Sequence, residues 1–372
     1  MRNFGTMLAV AFMCLLEGGC VADKARESAP SAPAQRFTML MGWDLRGSPG
    51  ESIPQAAAIG VTDIIVPAQA GPALEKTLEI AHRHGINVYA LVQLNTGVAR
   101  WAGKYPHEPP PLQGLTDEEQ QSVRFLRDGK DKKDPAYSQW GGEPVDKRDV
   151  LIYDMLSFHD PRVMDLLKDD IRAAAAIRGI KGIAFDVFGY QNFRCDRSPA
   201  AMKAFEQYRK AHPSLSENAA FEQFSFDMLV KYNNALADFA RSLRPDIMIA
   251  NHVWPSYAPQ PLYGNRLDID YCGQSAAWFL PYPPSRIATY AMTIARQEKL
   301  FHQRASGVAL IGFFNQPGGC FPVKSADQVE SELKAILAGG CNRLMVCSIG
   351  DVLRTPAVAD VFRKYCNPKK TE

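Results

Sequence analysis

The sequence predicts an α/β fold in which eight parallel strands close into a (β/α)8 barrel, a TIM barrel. Short apolar segments alternate with amphipathic helical segments over most of the 372 residues, which is typical of a parallel sheet covered by helices. About eight such units follow one another, and this number favours a closed barrel. An open doubly wound sheet is the alternative, although no glycine-rich phosphate loop follows the first strand.

Each predicted strand is a short apolar run rich in β-branched or aromatic residues. In chain order the predicted strands are Phe37–Asp44, Asp63–Pro67, Ile86–Leu94, Gly182–Tyr190, Asp246–Trp254, Leu267–Cys272, Gly307–Asn315 and Arg343–Ser348.

The predicted helices follow these strands and show apolar residues at helical spacing. They are Ile53–Ile59, Pro72–His84, Pro161–Ile177, Pro199–His212, Ala219–Leu243, Ser285–Lys299, Ala326–Ala338 and Pro356–Tyr365. Gly85 is placed to end the second helix, and Asp160 to cap the start of the third.

A long insertion follows the third predicted strand. Residues 95–148 are polar and rich in Pro, Gly, Trp and Tyr. A loop of this length is usually functional or disordered. In a barrel it would lie on the carboxyl-terminal face, where barrel enzymes carry their active sites.

The amino-terminal segment predicts export. Arg2 precedes a short apolar run that ends at two glycines and Cys20, so residues 1–20 resemble a secretory signal of the lipoprotein type. Lipidation at Cys20, a flexible linker over 21–35 and a barrel domain over 36–368 would then place the protein in the periplasm or on the cell surface. The membrane would be reached only through this anchor. An ordinary signal peptide cut before Ala29 is the alternative.

Charge and cysteine content limit the partners and cofactors that the sequence predicts. The formal net charge is +2, and the basic run Lys130–Lys133 is interleaved with Asp, so a nucleic-acid partner is not expected. No CxxC pair is present, and neither a metal nor another cofactor is predicted. The six cysteines after Cys20 permit disulfides without fixing a pairing, and buried free thiols are equally expected for Cys272, Cys341 and Cys347.

Two carboxylates are the candidate catalytic residues. Asp186 alternates with apolar residues in the fourth strand and would point into the barrel near its mouth, and Asp270 is its best partner on the sixth strand. An acid and a nucleophile or base, both carboxylic, are the apparatus of most glycosidases. The structural alternative for either residue is an ion pair with Arg or Lys on a neighbouring strand.

Further candidates for substrate binding lie at predicted strand ends or in the loops that follow. All five tryptophans are among them, and aromatic rings suit the flat C–H faces of sugars. The set is Trp43, Asp44, Trp101, Trp140, Tyr190, Asn251, His252, Trp254, Trp278 and Asn315.

The stretch from His159-Asp160-Pro161-Arg162-Val163 to Gly182-Ile183-Ala184-Phe185-Asp186 resembles a pattern in glycoside-hydrolase-like (β/α)8 barrels. These include the alpha-amylase-like superfamily and family-10-like hydrolases. The resemblance implies a catalytic or substrate-binding role for Asp186. The chain departs from amylase-like enzymes at the end of the fifth strand, where Asn251-His252 stands in place of a Glu.

Three functions are therefore compatible with the sequence. The first is a glycoside hydrolase that acts on an oligo- or polysaccharide by paired-carboxylate catalysis. The second is a surface lipoprotein that binds a glycan without cleaving it. The third is a metal-assisted enzyme with Asp44, Asp186, His252 and Asp270 as ligands.

Overall fold

The structure is a computed structural model. It describes residues 36–94, 97–117, 155–186, 188–191, 195–252, 266–277, 282–300, 304–315 and 323–366. Judged by length and hydropathy, no helix within these ranges could cross a lipid bilayer.

Eight parallel strands form a closed barrel in sequential order, and the last strand pairs with the first. The predicted fold class is thereby confirmed. The strands are β1 (Met39–Trp43), β2 (Asp63–Pro67), β3 (Asn87–Gln93), β4 (Gly182–Asp186), β5 (Met248–His252), β6 (Tyr271–Ala277), β7 (Ser306–Gly312) and β8 (Arg343–Cys347).

Ten helices lie within the described ranges. They are α1 (Pro49–Ala58), α2 (Pro72–Arg83), α3 (Val98–Lys104), α4 (Pro161–Ala175), α5 (Pro199–Ala211), α6 (Glu217–Leu243), α7 (Pro284–Leu300), α8 (Ala326–Ala338), α9 (Ile349–Leu353) and α10 (Pro356–Cys366).

Side-chain caps start several of these helices, and one of them was predicted. The carboxylate of Asp160 accepts a hydrogen bond from the Arg162 backbone, and Pro161 occupies the first turn of α4. The hydroxyl of Ser325 caps α8 in the same way, and Gln328 completes a reciprocal capping box. Such caps satisfy backbone donors that have no partner inside the helix.

The core has two apolar layers, which follow from the alternation of side chains along each strand. An inner cluster fills the barrel and includes Trp43, Tyr89, Ala184 and Ala250. A larger outer cluster packs the opposite strand faces against the helices. Gly182 opens β4 because a Cβ there would lie 2.5 Å from the Tyr89 ring and 2.2 Å from a backbone oxygen of β5.

Most predicted strands are longer than the observed ones by a few residues, and the sixth strand is displaced along the chain. The sixth strand was predicted at Leu267–Cys272 but runs from Tyr271 to Ala277. Of the predicted insertion, residues 97–117 are described, and they contain α3 and the bridge of Leu112 to Leu156. The rest of the insertion lies outside the described residues.

Candidate active site

Asp186 and His252 meet at the carboxyl end of the barrel. Asp186 ends β4 on the same face as Ala184, and His252 ends β5 on the same face as Ala250, so both side chains point inward. The His252 Nδ1 lies 3.5 Å from the Asp186 Oδ1. The Trp43 ring meets the His252 ring nearly edge-on, with centroids 5.7 Å apart. The sequence predicted all three as site residues, and the structure brings them together.

Asp44 follows β1 at the carboxyl end of the barrel, and both its backbone carbonyl and its carboxylate have partners. Its backbone has a φ of 58°, in the left-handed region that Asp tolerates better than most residues. The carbonyl oxygen accepts hydrogen bonds from the Gly350 backbone at 3.1 Å and from the Ser348 hydroxyl at 3.2 Å. The carboxylate lies 2.6 Å from the Arg46 guanidinium.

Arg46 bridges two carboxylates at this rim. A second nitrogen of its guanidinium lies 3.7 Å from the fully buried Asp351. The hydrogen bond to Asp44 is the main reason that the pKa of Arg46 is raised. Arg46 is therefore fixed between Asp44 and Asp351 as a permanent cation.

Cys347 lies at the carboxyl end of the barrel. Cys347 ends β8 directly beside Trp43 of β1. Burial raises the pKa of its thiol, and the carboxylates of Asp44 and Asp186 raise that pKa further. Cys347 therefore lies at the same end of the barrel as Asp44, which follows β1, and Asp186, which ends β4. Sequence reasoning missed Cys347, which lies near the end of a predicted strand, and Arg46, which lies two residues after another.

Asp270 is not at the mouth, and its predicted position is wrong. Strand β6 begins at Tyr271, so Asp270 lies at the amino end of the barrel. Its carboxylate accepts hydrogen bonds from the Ile249 backbone at 2.8 Å and from Arg241 at 3.4 Å. This is the structural role that the sequence left open. Asp270 cannot pair with Asp186 across a substrate.

Trp101 and Tyr190, two further predicted sugar-binding residues, are buried in the fold. Trp101 lies in α3, is fully buried, and donates its indole N–H to the Glu108 carbonyl. The Tyr190 ring is buried as well, and its hydroxyl donates to the Ser225 carbonyl at 2.7 Å. In this structure both rings are packing residues, and neither presents a face to the barrel mouth.

The remaining predicted residues divide into two groups. Asn251 alternates with the inward His252 and is buried on the outer face of β5, whereas Asn315 is half-buried beyond β7 and donates to the Thr355 hydroxyl at 2.9 Å. Four predicted positions lie outside the described residues: Cys20, Trp140, Trp254 and Trp278.

Within the described ranges no three or more His, Cys, Asp or Glu side chains are placed to hold a metal ion. The proposed metal set is divided, since Asp270 lies at the far end of the barrel from Asp186. Cys272, Cys347 and Cys366 are thiols, not disulfides.

Comparison with known proteins supports the fold. No family model matches the sequence, and no curated protein matches it. Among solved structures, the glycoside hydrolase domain of PgaB (BpsB) from Bordetella bronchiseptica superposes with a TM-score of 0.61 and 13% identity over 90% of this chain and 100% of that one. The β-galactosidase from Rahnella sp. R3 gives a TM-score of 0.55 at 11% identity, over 89% of this chain and 57% of that one. For α-L-fucosidase isoenzyme 2 from Paenibacillus thiaminolyticus the TM-score is 0.52 at 12% identity, over 89% and 49%. At such identities the similarity establishes the shared barrel fold.

Proposed function

We propose that this chain is a glycoside hydrolase that acts on an oligo- or polysaccharide, with Asp186 as a catalytic carboxyl group. The observation that carries the proposal is the position of Asp186, which ends β4 inside the barrel mouth and faces His252 at 3.5 Å. Active sites of barrel enzymes lie at this end of the strands. Burying a carboxylate there is costly unless it is paired or used.

The surroundings of Asp186 suit a sugar. Trp43 contributes an aromatic ring that contacts His252 beside Asp186, and the polar residues Asp44 and Asn315 follow β1 and β7 at the same end of the barrel. Saccharide sites combine aromatic surface with a few placed polar groups. The solved structures that share this fold include several named as glycoside hydrolases, which agrees with the proposal.

Hydrolysis across a panel of polysaccharides and aryl glycosides tests the proposal. Wild type is expected to cleave at least one member, and Asp186→Asn is expected to lose that activity while its circular dichroism and melting temperature persist. Asp246→Asn is the matched control, because Asp246 lies at the amino end of β5 with 85% of its side chain exposed. Equal activity in wild type and Asp186→Asn would refute the catalytic role.

A glycan-binding protein without hydrolytic activity is the second candidate. The displacement of Asp270 from the mouth favours it, because it removes the predicted catalytic partner. A protein of this kind would bind a glycan in calorimetry with the same affinity before and after prolonged incubation, and would release no reducing ends. Detection of new reducing ends would exclude it.

Export and lipidation at Cys20 belong to the same proposal. A hydrolase or glycan-binding protein at the periplasm or cell surface would meet polysaccharide there, and the carbohydrate is the expected partner. Incorporation of labelled palmitate into wild type but not into Cys20→Ser would support the anchor. Release of an unlabelled wild-type protein into the soluble fraction would contradict it.

A further inference from the structure

Gln93 stands beside Asp186 at the carboxyl end of the barrel. Gln93 ends β3 and Asp186 ends β4, and the two residues are Cα partners in the parallel ladder of these strands. The Leu94 backbone N–H donates to the Asp186 carbonyl at 2.8 Å, so the ladder is intact at this point. Neighbouring strands lie about 4.8 Å apart. The backbones of Gln93 and Asp186 are therefore one strand spacing apart at the candidate active site.

The Gln93 side chain points into the barrel. Successive side chains of a strand lie on opposite faces. Tyr89 and Leu91 of β3 pack in the inner cluster, whereas Val92 belongs to the outer cluster. Gln93 lies two residues after Leu91, and its side chain therefore shares the inner face of the barrel with that of Asp186.

The exposed surface of Gln93 shows where the mouth is open. Gln93 is exposed, although it is an inward residue of a strand whose outer face is covered by helices. Trp43 and His252, the inward residues that end β1 and β5, are buried. Solvent therefore reaches the strand ends over β3, next to Asp186. A ligand that approaches Asp186 from this side contacts Gln93.

Gln93 is held at the mouth with the hydrogen-bonding groups of its carboxamide unused. The Arg100 guanidinium donates to the carbonyl oxygens of Gln93 at 2.9 Å and of Leu94 at 2.6 Å, so the backbone is fixed. Among the residues that the structure describes, none forms a hydrogen bond with the Gln93 side chain. Asn87, the exposed carboxamide at the amino end of the same strand, donates instead to Asp63 at 3.0 Å. Asn87 is therefore part of the scaffold, whereas Gln93 is available to a ligand.

A free carboxamide fits a sugar hydroxyl group. The amide nitrogen donates and the amide oxygen accepts, and a hydroxyl group also does both. The carboxamide does not titrate, so Gln93 can orient a substrate without taking part in proton transfer. Polar groups held on the strands of a scaffold fix the orientation of a ligand and give specificity.

We propose that Gln93 binds one hydroxyl group of the sugar unit next to Asp186 and selects substrates that carry it; this inference rests on the proposed function. The hydroxyl group donates to the Gln93 Oε1 or accepts from its Nε2. A substrate that lacks this hydroxyl group leaves the carboxamide unpaired in the complex and is cleaved more slowly. Gln93 is thus a specificity-determining residue, and Asp186 remains the catalytic one.

Deoxy sugars test the inference. The probes are the smallest glycoside of the panel that wild type cleaves and its monodeoxy derivatives, each with one hydroxyl group replaced by hydrogen. Gln93→Met keeps the length of the side chain and removes its hydrogen-bonding groups. With the parent glycoside we expect kcat/KM of Gln93→Met to be about 5- to 100-fold below that of wild type, the usual effect of leaving one hydrogen-bonding group unpaired. With one deoxy derivative the two proteins should have equal kcat/KM, because neither complex forms that hydrogen bond.

Gln207→Met is the matched control, since Gln207 is exposed on α5, outside the barrel. Its kcat/KM should stay within about two-fold of wild type with every probe. The melting temperature should be unchanged in both variants, because both glutamines are exposed. If Gln93 were only structural, Gln93→Met would lower kcat/KM by the same factor for the parent and for every deoxy derivative, and the inference would be overturned. A wild-type kcat/KM of Gln93→Met with the parent glycoside would also overturn it.

The inference and the proposed function can fail separately. If Asp186→Asn loses activity but Gln93→Met discriminates among the probes as wild type does, only the inference is wrong. If wild type cleaves no member of the panel, the proposed function is wrong and the inference with it.

Discussion

The two ends of the barrel use carboxylates in opposite ways. At the amino end, Asp63 is buried and accepts hydrogen bonds from the Thr62 hydroxyl at 2.6 Å and the Asn87 amide at 3.0 Å. Asp270 at the same end accepts from the Ile249 backbone and from Arg241. At the carboxyl end, Asp186 faces a histidine 3.5 Å away inside the mouth. Hydrogen bonds to fixed donors stabilise the first pair as parts of the scaffold, whereas Asp186 is placed where a ligand can reach it.

This difference follows from the direction of parallel strands. All eight strands run the same way, so one end receives every strand start and the other every strand end. Loops after strand ends vary most freely without loss of the barrel, which is why chemistry collects there and stability at the other end. A carboxylate at either end is the same chemical group. Its partners decide which role it has.

Exchange of the mouth carboxylate should produce the largest effect. Asp186→Asn keeps the volume of the side chain and removes its proton chemistry, so we expect kcat to fall by 10³-fold or more, about 4 kcal/mol of transition-state stabilisation. Stability should change by less than about 1 kcal/mol. Steady-state kinetics and urea unfolding measure the two effects separately. A loss of stability as large as the loss of activity would place Asp186 in the same class as Asp270.

The pH dependence of stability provides a second test of this comparison. It concerns His159, which lies at the carboxyl end of the barrel but is buried in the core. His159 precedes α4 and packs against the rings of Phe158, Phe224 and Tyr232. Burial, with a smaller contribution from the charge of Lys231, lowers the pKa of His159 to about 4.

The direction of the pH dependence follows from the proton that His159 binds when the protein unfolds. The unfolded histidine has a pKa near 6.5 and binds a proton that the folded one does not accept until about pH 4. His159 therefore leaves the free energy of unfolding unchanged above about pH 6.5. As the pH falls from about 6.5 to about 4, it lowers that free energy by about 3 kcal/mol in total. Urea unfolding from pH 7 to pH 4 should show a steeper decline for wild type than for His159→Phe. Parallel curves would contradict the low pKa of His159.

The prediction of Asp270 failed for a physical reason that the sequence conceals. Leu267 and Ile269 are both fully buried, so the alternation in Leu267–Asp270 is real. It belongs to the segment that enters the sixth strand. The strand itself contains Gly, Gln, Ser and Ala, which have low β propensity, so its apolar pattern is weak. Sequence alternation indicates which side chains are buried but not where the hydrogen-bonded ladder begins.

Other features were predictable because a local rule determines them. The cap at Asp160 depends on one side chain and the next turn, and Asp186 follows from alternation along a clearly apolar strand. Trp101 shows the limit of such rules. Its position between strands suggested exposure, whereas its ring is covered by Tyr105, one turn later, and by Arg162 of the distant helix α4.

Removal of Asp270 tests the amino end. Asp270→Ala leaves the Ile249 N–H without its carboxylate acceptor and Arg241 without one of its partners, and we expect a loss of about 1–3 kcal/mol of unfolding free energy. Activity per folded molecule should equal that of wild type. Chemical denaturation and active-site-normalised rates distinguish the two. Asp246→Ala, at the exposed start of the neighbouring strand, should be nearly neutral in both measurements. A fall in kcat with stability unchanged would reverse the roles assigned to the two ends.

The smallest expected effect concerns the aromatic floor of the mouth. Trp43 is mostly buried, and its ring meets His252 edge-on, so only part of it can contact a sugar. Trp43→Phe keeps an aromatic ring of smaller area, and the loss should be about 0.5–1.5 kcal/mol of glycan binding, or roughly a 2- to 10-fold rise in Kd. Calorimetry with a saccharide identified by the panel measures this, and kcat should hardly change, because the carboxyl groups stay in place. A fall in kcat with unaltered binding would show instead that Trp43 acts by holding His252 against Asp186, and the ring would then belong to the catalytic support rather than to the sugar site.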